Sequence, residues 1–263
     1  MLGSMLGGLY RKLVGKLFGV DALVRQSVVR ELEARAPALM RPEVAALLQA
    51  GGDSRVFLDV EKVANILASV SSAQYFLHHM LLAENLIERE SLIRFAMERC
   101  SVEGLVLEFG VYAGRSLRVI AGCTSQPVYG FDSFQGLPED WTSQQKRGRF
   151  DLEGKVPKFQ EANVRLVQGW FNETLPTFLA QHPDPVRFLH MDCDLYRSAA
   201  TVFAHIGTRI VSGSVILFDE YFNYPGWEQH EFRAFQEFVT SAGLKYSYIG
   251  FASGYPSVAV KIT

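Results

Sequence analysis

From residue 104 onward the chain repeats one pattern: a short apolar run, a turn, then a stretch with helical spacing. The runs are LVLEFG, PVYGFD, VRLVQG, RFLHMD and SVILFD. Short apolar runs separated by helix-length segments predict parallel strands with crossover helices, because a hairpin cannot join parallel neighbours. Repetition of this unit predicts a doubly wound α/β sheet. The end of the chain departs from the rhythm: KYSYIGF, the turn ASGYP and SVAVKI leave no room for a crossover, so these two runs pair antiparallel. The expected architecture is a mostly parallel, seven-stranded sheet closing in an antiparallel C-terminal hairpin.

Residues 1–100 read differently. VDALVRQSVVRELEARA, EKVANILASVSSAQYFLHHMLLAENL and ERESLIRFAMERC carry apolar residues at helical spacing with no strand pattern between them. The organisation expected is a helical N-terminal extension over 1–100 and a sheet domain over 101–263, and 263 residues are enough for both. The first twenty residues contain Arg11, Lys12 and Lys16 and no acid before Asp21. Glycines and those bases interrupt the apolar positions, so the segment lacks the continuous run of a membrane span or a signal peptide. Packing on its own domain or on another subunit is favoured there over an amphipathic helix lying on a membrane.

The bulk properties narrow the function classes. A formal net charge of −2, with 48% hydrophobic and 21% charged residues, is ordinary for a globular protein and gives no general attraction to nucleic acid. Cys100, Cys123 and Cys193 are far apart, which argues against a disulfide scaffold or a zinc site and fits a reducing, cytoplasmic setting.

In open α/β sheets ligands bind outside the carboxyl ends of the strands, so the residues that end each run are the ones to read. LVLEFGVYAGRS places Glu108 at a strand end, Gly110 and Gly114 in a GxxxG turn, and Ser116 at the start of a helix. Glycines there either let the backbone approach a ligand or serve only a tight turn. The spacing is not the GxGxxG of dinucleotide folds. Asp132, which ends VYGFD, is placed to accept hydrogen bonds from ribose hydroxyls. In QGWFNETLP, Trp170 and Phe171 offer aromatic faces for an adenine, with core packing as the rival role. Residues 133–163 form a long, polar, turn-rich connection that reads equally as a lid or as a surface insertion.

FLHMDCDLYRS raises an electrostatic question, because buried carboxylates need a partner or a cation. Along an extended strand Phe188, His190, Asp192 and Asp194 project to one face. The following run, SVILFDEYF, ends in Asp219 and Glu220, which an adjacent strand would bring near Asp192. Asp194 precedes a helical stretch and reads better as its N-cap than as a metal contact. His190 reads as a core histidine. His230, near the start of the amphipathic stretch EFRAFQEF, is the candidate general base. Tyr221, Tyr224 and Trp227 read either as an acceptor pocket or as loop anchors.

In order, LEFGVYAGRS, GFDSFQGLPEDW, QGWFNETLP, HMDCDLYRS and ILFDEYFNYPGW resemble the class I S-adenosylmethionine-dependent methyltransferases, and among them the macrocin O-methyltransferase-like family, over about residues 60–262. The resemblance implies S-adenosylmethionine as cofactor. It places the methionine end against the turn from Glu108 and Phe109 through Gly110 to Gly114 and Ser116, with Asp192 alongside. The ribose falls on Asp132 and Ser133, and the adenine by Gly169, Trp170 and Phe171. It further implies a divalent metal, usually magnesium, on Asp192, Asp219 and Glu220, the last more often an aspartate in the family. Members act in antibiotic tailoring by methylating a sugar hydroxyl. The resemblance gives the N-terminal helices a role in covering the acceptor and in building a homo-oligomer.

The expected function is therefore metal-assisted O-methylation of a small-molecule hydroxyl, with no nucleic-acid or membrane partner. Two alternatives stand beside it. An Asp-x-Asp after an apolar strand also suits a metal-dependent glycosyltransferase, although that class has no need of the LEFGVYAGRS turn. A non-catalytic nucleoside-binding protein is the other.

Overall fold

A computed structural model of the chain describes residues 59–142 and 144–263. The expectations for the first 58 residues, including the basic amphipathic segment, lie outside the described residues. The chain divides at Gln74/Tyr75 into two compact units, and the sheet belongs to Tyr75–Thr263. The described part of the other unit, from Asp59, is mainly the first turns of helix α1 (Val60–His79).

The sheet unit continues with strand β1 (Glu84–Asn85), helix α2 (Arg89–Glu98), β2 (Leu105–Phe109), α3 (Arg115–Ala121), β3 (Val128–Asp132) and β4 (Val164–Gln168). It goes on through α4 (Phe171–Gln181), β5 (Val186–Met191), α5 (Tyr196–Ile206) and β6 (Ile210–Phe218) to α6 (Glu231–Ala242), β7 (Tyr246–Phe251) and β8 (Val258–Ile262). The sheet has eight strands in the order β1-β7-β8-β6-β5-β2-β3-β4. All pairings are parallel except those of β8 with β6 and β7. The seven anticipated strands are present, and the final hairpin is antiparallel as expected. The eighth strand is β1, two residues inside a segment that reads as helix; it is too short to show a period, and it lengthens the sheet beyond β7.

Burial explains why these runs become strands. Every residue of β2 is buried, and so are Val186, Phe188, Leu189, His190 and Met191 of β5, as befits central parallel strands covered on both faces. β4 lies at an edge and is partly exposed throughout. The rings of Phe109 and Phe131 stack across β2 and β3 with centroids 4.7 Å apart. α2 buries Leu92, Ile93 and Ala96 completely, which ties the segment before β2 into the same core.

Candidate active site

The register brings the tips of three strands into line. Beyond the last strand residues the ladder runs one step further, Gly110 N donating to Phe131 O, Asp192 N to Phe109 O and Asp219 N to Met191 O. Gly110, Asp192 and Asp219 therefore sit side by side at the carboxyl edge, the place where α/β sheets bind ligands. Gly110 is required at its position: φ is +91°, and a Cβ would lie 1.7 Å from the Asp192 carbonyl oxygen. The close approach at this glycine is thus made by the chain's own backbone.

Asp132 organises the neighbouring turn. Its Oδ2 accepts from the amides of Val111 and Tyr112, both at 2.8 Å, and its Oδ1 accepts from Phe134 N at 2.7 Å. The side chain expected to meet a ribose is already bound to backbone, although a carboxylate oxygen with one donor retains acceptor capacity. Ser133 is buried and its hydroxyl accepts from Gln135 N. Gly169, Trp170 and Phe171 stand at the end of β4, where Gly169 N donates to Asp132 O. Phe171 packs edge-on against Phe109 at 5.2 Å, and both Phe171 and Trp170 are half-buried. These tips, adjacent in the order β2-β3-β4, suit a nucleoside cofactor, with Asp132 Oδ1 and Trp170 available to it.

The long connection is folded, with Leu137 N bonded to Arg149 O and Gln135 bridged to Asp151. It lies over the glycine turn. The Phe150 ring meets Tyr112 at 5.4 Å, Phe159 abuts Gly114 and takes the Arg118 guanidinium at 4.7 Å, and Arg118 also donates to Lys158 O. These contacts show a folded, packed segment rather than a disordered insertion.

Below the tips a buried pair joins β2 and β5. Glu108 Oε1 and His190 Nδ1 are 2.7 Å apart, and both side chains are fully buried. Burial pushes the Glu108 carboxyl up to about 8, against the opposing influences of Ser116 and Arg89, and pushes the His190 imidazole down to about 3. Near neutral pH both are therefore mostly uncharged. Glu108 Oε2 and His190 Nε2 are buried without a hydrogen-bond partner. His190 is thus a half-satisfied core histidine, and Glu108, placed by the resemblance against the cofactor, is held inside the sheet. Phe109 is likewise wholly enclosed and Ser116 is buried.

The two carboxylates at the edge have a partner that the sequence does not point to. Arg89 Nη2 donates to Asp192 Oδ2 at 2.6 Å, and Arg89 Nε forms an ion pair with Asp219 Oδ1, also at 2.6 Å. Ser257 Oγ donates to Asp219 Oδ1 at 3.1 Å. Burial raises both carboxyls and the guanidinium opposes it. One signal in the sequence is that a helix start favours acids, and Arg89 occupies the first position of α2 between Glu88 and Glu90. Arg89 also lines a cavity of about 200 Å³ together with Ser91, Arg115, Ser116 and Tyr255.

The metal set implied by the resemblance can be tested against this arrangement. Asp192 and Asp219 converge, but on a guanidinium. Among the described residues, the one group of three or more such side chains whose ligand atoms all lie within 4.8 Å of one another is Glu108, His190 and Asp192; Asp219 Oδ1 lies 4.0 Å from His190 Nε2 but is outside the group, as is Glu220. A dication between Asp192 and Asp219 would share its position with the arginine's charge, so as arranged these residues do not fit one.

Other positions differ from their sequence reading. β5 ends at Met191 and Asp194 has φ +63°, so strand alternation does not carry Asp194 to the face of Asp192. Nor is Asp194 the helix N-cap: that position is Leu195, with no side-chain cap. The loop is secured instead by Glu231, a residue the sequence reading passes over, whose Oε1 accepts from Cys193 N at 3.0 Å and Asp194 N at 3.1 Å. Tyr221 and Trp227 are buried, and the Tyr221 hydroxyl bonds that of Tyr248 at 2.6 Å, so both are loop anchors. His230 immediately precedes α6, half-buried, with Nδ1 lacking a hydrogen-bond partner and its ring beside Trp141 and Tyr224. All three cysteines are unpaired, and no helix among the described residues is long and apolar enough to cross a membrane.

Comparison with known proteins agrees with this architecture. The family described as a methyltransferase domain matches residues 107–221. The demethyldecarbamoylnovobiocin O-methyltransferase of Streptomyces niveus is 26% identical over 148 residues, 48% of this chain and 55% of that protein. The mycinamicin III 3''-O-methyltransferase of Micromonospora griseorubida is 26% identical over 169 residues, 55% of this chain and 65% of that protein. The chain thus spans about three fifths of the length of these curated relatives. The solved structure of the O-methyltransferase NovP superposes with a TM-score of 0.55 at 23% identity, over 66% of this chain and 79% of that one, a likeness of fold. With β8 running antiparallel inside an otherwise parallel sheet, the described chain has the class I methyltransferase fold, and residues 107–221 match the family described as a methyltransferase domain.

Proposed function

We propose that the chain is an S-adenosylmethionine-dependent O-methyltransferase whose acceptor is a hydroxyl on a small molecule, such as a sugar of a secondary metabolite. The observation that carries this reading is the alignment of the Gly110 turn, Asp132 and Gly169 on neighbouring strand tips, within a methyltransferase domain and next to a separate polar edge at Asp192 and Asp219. The relatives' names add the acceptor class, since both are O-methyltransferases and one acts at a 3''-position. The glycosyltransferase and non-catalytic alternatives have no comparable support.

The cofactor supplies an electrophilic methyl group, which leaves the protein two tasks, in-line positioning and removal of the acceptor's proton. Asp132 holds the turn and offers Oδ1 to the ribose, and Trp170 flanks the adenine. The lid residues Phe150 and Phe159 close over Tyr112 and Gly114 and exclude water. His230 takes the acceptor's proton at Nδ1, which has no hydrogen-bond partner; burial lowers its imidazole below the usual range, so it is neutral and able to accept at pH 7. Magnesium assistance, part of the resemblance, has no place in this reading while Arg89 holds Asp192 and Asp219.

Isothermal calorimetry with S-adenosylhomocysteine tests the cofactor half. Saturable, stoichiometric binding is expected, and its absence alongside binding of a nucleoside diphosphate would overturn the reading. A screen of sugar and phenol acceptors with methyl-labelled cofactor then identifies the hydroxyl.

A further inference from the structure

We propose that Arg89 is the resident cation of the strand-tip carboxylates: its guanidinium holds Asp192 and Asp219 together and fills the place that a divalent ion would otherwise take.

Two different nitrogens of one guanidinium reach carboxylates at the ends of two adjacent strands, each at 2.6 Å: Nη2 donates a hydrogen bond to Asp192, and Nε meets Asp219 as an ion pair without hydrogen-bond alignment. Planar, permanently charged arginine suits such bridging, whereas lysine offers a single point charge. The side chain is three-quarters covered, with 26% of it exposed, and Asp219 is nearly buried at 9%. A buried carboxylate without its counter-charge is costly, so the pair is a structural commitment rather than a casual surface bridge.

The backbone that delivers Arg89 is anchored on both sides. Ahead of it, Glu84 and Asn85 pair with Gly250 and Phe251, and Leu86 N donates to Phe251 O. Behind it, Leu92 and Ile93 are fully buried in the core. The arginine therefore reaches the carboxylates from a fixed helix start. A dication placed between the same two acids would meet a like charge within contact distance. The neighbouring Glu108, His190 and Asp192 group offers no better seat, because His190 Nδ1 is already engaged by Glu108 and Asp192 by Arg89.

Arg89 acts here as a positioning residue, fixing Asp192 and Asp219 and setting the local charge. Only the consequence for catalysis rests on the methyltransferase reading; the cation site is testable without turnover. Chelator-treated protein would be titrated with Mn2+ by electron paramagnetic resonance, and its Tm measured with and without Mn2+. The wild-type protein is expected to show no saturable Mn2+ site up to millimolar concentration and an unchanged Tm. Arg89→Met, which removes the charge and keeps an apolar stem, is expected to bind Mn2+ at least tenfold more tightly than wild type and to gain Tm when it is added.

Stoichiometric Mn2+ binding by wild type, or a folded Arg89→Met that binds Mn2+ no better than wild type, overturns the proposal. If Arg89→Met does not fold, the wild-type titration decides alone. S-adenosylhomocysteine binding measured on the same wild-type sample keeps the two readings apart, since loss of that binding strikes the methyltransferase reading and leaves the Mn2+ result standing.

Discussion

Glu108 and His190 meet at 2.7 Å across neighbouring parallel strands, in a place where neither is exposed to solvent. Their shifts run in opposite directions and give stability a defined pH profile. Glu108 rises from 4.5 to about 8, so between those values the folded state holds a proton the unfolded state has lost, and stability falls as pH rises through that window. His190 falls from 6.5 to about 3, so between those values the unfolded state holds the extra proton, and stability falls as pH drops through it. The two contributions oppose each other between 4.5 and 6.5 and leave a decline on either side. Stability is expected to fall between pH 6.5 and 8, at up to about 1.4 kcal/mol per pH unit, with Tm falling alongside, and Glu108→Gln should flatten that limb. A wild-type Tm that does not change over this range would refute the protonated Glu108.

Asp132 has one observed role, holding the turn, and one proposed role, meeting the ribose, and the two can be separated. Its carboxylate takes three backbone amides, and loss of an acceptor for a buried amide costs about 1–3 kcal/mol each. Asp132→Ala should therefore lower stability by roughly 3 kcal/mol, scaled down for the exposed Tyr112 amide, and weaken S-adenosylhomocysteine binding at least tenfold. Thermal unfolding and calorimetry measure both. If Asp132 served only a ribose, affinity would drop and Tm would stay.

The contrast between what could and could not be read from the sequence follows from physical range. LVLEF and RFLHM announce themselves as strands because both of their faces are buried, and a continuous apolar run is a local signal. The carboxyl-edge acids were legible for the same reason, each being the first polar residue after such a run. Arg89 was not: its partners lie 103 and 130 residues further along the chain, and its odd place at a helix start marks the arginine without saying which acids it meets. Asp132 was recognised as an acid at a strand tip, but its amide partners are fixed by the path of the 110–114 turn, which no side-chain pattern encodes. The 133–163 connection reads equally as a lid or an insertion because its anchoring rings, Phe150 and Phe159, are single residues in a polar stretch without a period.

Gly110 is a sharp test of the strand-tip geometry. Its φ of +91° and the 1.7 Å that would separate a Cβ from the Asp192 carbonyl oxygen mean that alanine must displace the backbone of β2's exit or that of β5. Backbone neighbours yield less easily than side-chain ends, so Gly110→Ala should cost at least about 3 kcal/mol. Gly154→Ala provides the control, since it also has positive φ but no atom within 4 Å of a Cβ, and its cost should be near 1 kcal/mol. Equal losses of Tm in the two variants would show that φ alone matters and that the approach of Asp192 is slack.

His230 can be tested once an acceptor is known. Burial lowers its imidazole, so the acid limb of the rate profile should bend below pH 6.5 and the rate should be level at neutrality. His230→Gln keeps a polar side chain beside Trp141 and Tyr224 but cannot take a proton there, and kcat should fall by roughly 10²–10⁴. Binding of S-adenosylhomocysteine should be unchanged, because the proposed adenine and ribose positions are at the ends of β3 and β4, away from the start of α6. A retained acid limb in His230→Gln would move the proton-accepting role to another group. A rate within a few-fold of wild type would leave His230 as packing for the Trp141 lid contact alone.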